Sequence, residues 1–129
     1  VGHAHMHLYV EAVPREAFDA WLAARQDAEL NELATQDTTH DVAREAFATH
    51  CASCHRVAGV SEGGIGPNLS DVGSRTMLGA GVMAMEEGAV SQWLQQHQTL
   101  KPGNKMPAHD DIDKDTLDAL GAWLETLTP

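Results

Sequence analysis

The sequence predicts an all-α domain over residues 38–129, preceded by a strand and helix extension. Three observations carry this expectation. Apolar residues recur at helical period in three separated stretches, near 42–51, 89–98 and 114–126. The segments between them are rich in glycine and proline: Gly59, Gly63, Gly64, Gly66, Pro67 and Gly73 in one, Pro102, Gly103 and Pro107 in the other. These punctuate loops rather than strands. Strict alternation, the mark of a half-buried strand, occurs only over residues 5–12.

In that alternating stretch Met6, Leu8, Val10 and Ala12 face one way and His5, His7, Tyr9 and Glu11 the other. A lone strand is not stable, so residues 1–13 read as part of a sheet whose other strands lie elsewhere. Pro14 suits the first turn of a helix. Ala17, Phe18, Trp21, Leu22 and Leu33 follow at roughly helical spacing, and polar residues 35–40 read as linker, making 14–37 a helical connector. Thr38 and Asp41 have capping-box spacing, followed by an apolar stripe of Val42, Ala46, Phe47 and Cys51. Residues 56–73 are expected to be loop, with a short helix over 71–80. A helix over 89–98 carries Val90, Trp93, Leu94 and His97. After a loop at 100–109, the last helix runs over 114–126 with Leu117, Leu120, Trp123 and Leu124.

The chain has 129 residues, enough for one domain and an additional segment. Acidic residues outnumber basic ones by 19 to 8, and a net charge of -11 repels nucleic acid while allowing steering of a basic protein partner. No run approaches the roughly 20 apolar residues of a membrane helix. No signal-peptide pattern is visible either, and the first residues read as the middle of a longer protein.

The chemistry sits in Cys51-Ala52-Ser53-Cys54-His55, a C-x-x-C-H haem attachment motif. Two thiols so spaced reach two vinyl groups on one edge of a porphyrin, and the histidine that follows is held over the iron as the proximal ligand. A thioredoxin-like thiol pair would require a βαβ setting, which is absent. Structural zinc would require a second ligand pair, and there is no other cysteine. The other ring nitrogen of His55 needs a partner to orient it, and a backbone carbonyl of the loop Gly66-Pro67-Asn68-Leu69 is the candidate.

There are five methionines to consider for the sixth position on the iron. Met6 lies in the alternating lead, and Met77, Met83 and Met85 lie in or beside a Gly/Ala-rich stretch. Met106 sits in Lys101-Pro102-Gly103-Asn104-Lys105-Met106-Pro107, a loop pinned by two prolines that holds a thioether with little entropy to lose. Met106 is therefore the expected ligand, the plain alternative being a side chain that fills a gap.

In this order, CASCH, the GPNL loop, a Trp-bearing helix, the KPGNKMP loop and a final amphipathic helix, the chain resembles class I cytochromes c over about residues 40–127. The run GPNLSDVGSRTMLGAG, then QWL, then LKPGNKMPAH is similar to the haem domain fused to subunit II of caa-type cytochrome c oxidases. The lead from Gly2 to Met6 and the stretch from Pro14 to Arg25 resemble the end of that subunit's cupredoxin domain and its connector. The resemblance implies one covalent haem c with His55 and Met106 as axial ligands. It implies that the Pro67 carbonyl accepts from His55, that Arg75 holds a haem propionate, and that Trp93 lies beside the axial methionine. Phe47 and Trp123 would meet where the first and last helices cross, with Ala43 and Gly121 small enough for that crossing. His97 falls where many relatives have proline, and a partly exposed helix-end histidine is expected there. His3 and Met6 match ligands of a dinuclear copper centre in the parent subunit. The bridging cysteines are missing here, so no dinuclear copper is expected in this chain. His3, His5 and His7 otherwise read as a solvated strand face.

The expected function is one-electron transfer, with no catalysis by the domain alone. The resemblance implies electron entry from a soluble donor, cytochrome c or similar, and delivery to the copper domain of the same oxidase subunit. It places the parent complex on the outer, periplasmic face of a bacterial membrane. Two rivals stand beside this. One is a haem enzyme or gas sensor with an open sixth position and His97 or His109 as an acid-base group. The other is a free shuttle cytochrome, for which the segment before residue 40 has no use.

Overall fold

A computed structural model of the protein describes residues 10–28 and 40–129. The copper-ligand expectation for His3 and Met6 therefore lies outside the described residues, as does Thr38. Residues 10–14 carry no regular structure. Helix α1, Arg15–Ala28, follows Pro14, whose carbonyl accepts the first bond from Phe18 N at 3.1 Å. Its Phe18 and Trp21 rings pair at 5.6 Å, and both remain exposed.

Helix α2 spans Asp41–His50. His40 occupies its N-cap position without a side-chain cap bond, so the helix starts later than a Thr38 cap would require. The buried stripe is Ala43, Phe47 and Cys51, whereas Val42, expected inside, is 66% exposed. At a helix crossing the small residue takes the facing position, and this turns Val42 outward.

Beyond the CASCH turn, residues 56–73 are more ordered than expected. Two-residue strands β1 (Arg56–Val57) and β2 (Ser61–Glu62) form an antiparallel hairpin, with Val57 opposite Ser61. A single 3₁₀ turn follows at Val72–Ser74. The helix expected over 71–80 does not form. Instead β3 (Met77–Leu78) pairs with β4 (Met83–Ala84) around a turn in which Gly79, Ala80 and Gly81 all have positive φ. Consecutive left-handed residues cannot continue a right-handed helix. Gly79 also lies against Trp93, whose ring would be 2.5 Å from an added Cβ.

Helix α3 spans Ala89–Leu100 and α4 spans Lys114–Glu125. Asp113 caps α4 by accepting from Thr116 N at 2.9 Å. Glu125, at the end of α4, accepts from Gly88 N at 3.1 Å and Val90 N at 2.9 Å. A negative charge thus satisfies two of the free donors at the start of α3. α4 packs on both α2 and α3. Phe47 and Trp123 meet edge to face at 5.3 Å, and with Leu120 they form the driest part of the core. Gly121 meets α3 most closely. Its close neighbour is Ser91 of α3, which a Cβ would strike. Among the described residues no helix is long and apolar enough to cross a membrane.

Candidate functional site

The C-x-x-C-H motif begins where α2 ends. Cys51 N and Ala52 N both donate to Phe47 O, at 2.8 and 2.9 Å, and His55 N donates to Cys51 O at 2.9 Å. The motif is thus wound onto the helix end, with Cys51 buried in the core and Cys54 partly exposed. Burial, and then the charge of Cys54, push the Cys51 thiol up to about 11. Reactive redox cysteines have depressed values, so this microenvironment is the opposite of a thioredoxin-like site.

His55 is held from several sides. Its Nδ1 lies 2.8 Å from Pro67 O, which makes Nδ1 the protonated nitrogen and leaves the Nε2 lone pair for a metal. Its own carbonyl accepts from Ser61 Oγ at 2.7 Å, and that hydroxyl in turn accepts from Val57 N at 3.0 Å. Gly66 permits the ring's position: a Cβ there would lie 2.5 Å from Cε1 and 2.7 Å from Nδ1. A Cβ on Gly63 would lie 2.6 Å from His55 N. The glycines marked a loop in the sequence, but not that two of them face the motif.

Met106 is partly buried against the core, and its loop is closed by side chains. Asn104 Nδ2 donates to His97 O at 3.0 Å and Lys101 O at 2.8 Å, while its Oδ1 accepts from Met106 N at 3.0 Å. Gln98 Nε2 donates to Met106 O, and Lys101 Nζ ties the loop to Gly79 O at 2.7 Å. Sequence reasoning credited the two prolines for this rigidity and missed Asn104, whose position two residues before Met106 is an Asx-turn signal. Met83 and Met85 also pack on the core, from β4 and just beyond it.

Arg75 is half-buried. It donates to Asn68 O and faces Asp71 Oδ1 at 3.6 Å. Burial lowers its pKa, a direction that rewards a nearby anion. Trp93 is partly buried against the core, with Gly79 on one side and His97 at 5.9 Å between ring centres. His97 corrects the expectation of a partly exposed helix end, being only 2% exposed. It faces inward from α3 and meets His109 edge to face at 5.5 Å. His97 Nδ1 and His109 Nε2 are buried without partners. Both line a cleft of about 320 Å³ beside α3. Burial, then the charge of His97, lower the His109 pKa, and His55 also contributes.

These residues fit a covalent haem. An uncharged buried thiol and a second thiol are wound on one turn. The imidazole has its outer nitrogen satisfied, and the glycine beside it leaves no room for another side chain. A thioether is held on a closed loop.

The comparisons with known proteins agree. Cytochrome c oxidase subunit 2 of Alkalihalophilus pseudofirmus is 32% identical over 127 residues, covering 98% of this chain and 36% of that protein. The subunit 2 of Bacillus sp. strain PS3 is 32% identical over 134 residues with the same coverage. That of Bacillus subtilis is 29% identical over 109 residues, 81% of this chain and 30% of the relative. The chain thus spans about a third of the length of these relatives. The cytochrome c family model matches residues 41–128, from the first residue of α2 to beyond the end of α4, and the chain belongs to the cytochrome c family.

Proposed function

We propose that this chain is the electron-entry domain of a cytochrome c oxidase subunit II, carrying one haem c. Cys51 and Cys54 would hold it through thioethers, and His55 and Met106 would supply the iron ligands. The bound haem supplies a one-electron ferric/ferrous couple. The observation that carries the reading is the 2.8 Å contact between His55 Nδ1 and Pro67 O, which fixes the imidazole by its outer nitrogen beside the two thiols.

The protein's own residues do the rest. The Pro67 carbonyl keeps the His55 ring from turning, and Asn104 and Gln98 keep the Met106 loop from rearranging when the charge changes. Little reorganisation means fast transfer in either direction. Arg75 would pair with a haem propionate, and Trp93 would lie beside the axial methionine. Electrons would arrive from a soluble donor and leave to the copper domain of the same subunit, where His3 and Met6 would be copper ligands once the rest of that domain is present. The parent complex would then act at the outer, periplasmic face of a bacterial membrane. The net charge of -11 favours a donor with a basic face. The domain by itself would make and break no substrate bonds.

The test is the optical spectrum of the haem-loaded chain, oxidised and reduced, for wild type and Met106→Ala. The expected wild type shows the near-infrared sulfur-to-iron band and ignores carbon monoxide. The variant loses the band, binds carbon monoxide and has a lower reduction potential. A wild type that lacks the band and binds carbon monoxide readily would sink the closed-iron assignment and favour an enzyme or sensor using His97 or His109.

A further inference from the structure

Among the described residues, Arg25 joins the connector helix α1 to the domain. The Arg25 guanidinium pairs with the Asp71 carboxylate, donates to Ser74 Oγ at 3.3 Å and lies 4.7 Å over the Trp21 ring. Its Nε is buried with no hydrogen-bond partner, while the side chain as a whole is 25% exposed. The Asp71 side chain is only 17% exposed, and its Oδ1 faces Arg75 Nη2 at 3.6 Å. The same Arg75 nitrogen donates to Asn68 O, and one residue earlier Pro67 O holds His55 Nδ1 at 2.8 Å. One sheltered carboxylate thus lies between two guanidiniums, on the loop that orients the imidazole.

A sheltered carboxylate left to itself here would do two things. It would draw Arg75 into a pair of its own. It would also leave an uncompensated negative charge on the loop whose Pro67 O holds His55, a charge that would favour the ferric state of a bound haem. Arg25 offsets both effects. Asp71 and Arg25 together are neutral, and the charge of Arg75 is left for another anion.

We propose that Arg25 is a positioning residue for the haem site: from the connector helix it neutralises Asp71, frees Arg75 for the haem carboxylates and so keeps the reduction potential high. This rests on the haem reading above. The effect of Arg25 passes through Asp71, which pairs with that guanidinium and faces Arg75. It follows that the redox poise of the domain depends on the seating of the connector, so a partner that lifts α1 would lower the potential.

The test uses the full chain with haem attached and measures reduction potentials of wild type, Arg25→Ala, Arg25→Lys, Asp71→Asn and the Arg25→Ala/Asp71→Asn double variant. Arg25→Ala is expected to shift the equilibrium toward ferric by roughly threefold to tenfold, tenfold being about 59 mV for one electron. The shift should shrink in high salt. Arg25→Lys keeps the charge and should retain most of the wild-type potential. In the Asp71→Asn background the loss of Arg25 should matter much less. An Arg25→Ala potential equal to wild type, or the same fall with and without Asp71, overturns the inference while a His/Met-ligated spectrum leaves the haem reading standing. A wild type with an open iron overturns the haem reading, and this inference with it.

Discussion

A methyl group on Gly66 would lie 2.5 Å from the His55 ring, so the imidazole's place depends on a side chain that is not there. In Gly66→Ala the ring must turn, and the bond from Nδ1 to Pro67 O is the one that breaks. Haem incorporation should drop several-fold, and the potential of the loaded fraction should shift. Far-ultraviolet circular dichroism should stay near wild type, because Gly66 lies in no helix. Unchanged yield and potential would show that the loop yields instead. The thiols and His55 were legible in the sequence because covalent attachment imposes a fixed spacing. Gly66 and Asn104 were less so, since their roles depend on what folds against them.

At the scale of elements, α4 shows how far local sequence determines structure. Its start at Lys114 follows from Asp113, which accepts from both the backbone N–H and the hydroxyl of Thr116. Those two bonds, the backbone one first, hold the Asp113 carboxyl below its ordinary range. A depressed folded value means the cap stabilises the fold above the unfolded carboxylate pKa and loses that contribution as pH falls through the folded one. Asp113→Ala should therefore melt lower than wild type at neutral pH, and the two melting curves should converge on acidification. Equal melting temperatures at pH 7 would mean that the cap contributes nothing. α3 and α4 were readable from their 3.6-residue period, each within two residues at its C-terminal end. The stretch over 71–80 was not, because a Gly/Ala-rich run has no period and its turn is decided by contact with Trp93.

At the scale of the whole molecule, three helices share one small core in which Phe47 and Trp123 are the largest buried rings. Phe47→Ala removes a ring with no water access and should cost about 3–5 kcal/mol, a large part of the ~5–15 kcal/mol that holds a domain folded. Denaturant unfolding of the haem-loaded protein would measure it, and a loss under about 1 kcal/mol would mean that the neighbours collapse into the space. Cys51 packs in the same cluster, so a haem attached there would also brace the core.

The haem motif, the family resemblance and the three helices of the domain are legible in the chain alone. All of these are written in local spacing: two residues between thiols, 3.6 residues per apolar repeat, prolines at loop ends. Packing set which partner each face meets. It turned Val42 out and Ala43 in, set Gly121 against Ser91, and buried His97 beside His109. It also brought Arg25 of the connector to Asp71. Those outcomes depend on contacts between residues distant in the chain, whose geometry is fixed when helices pack and which no local pattern encodes.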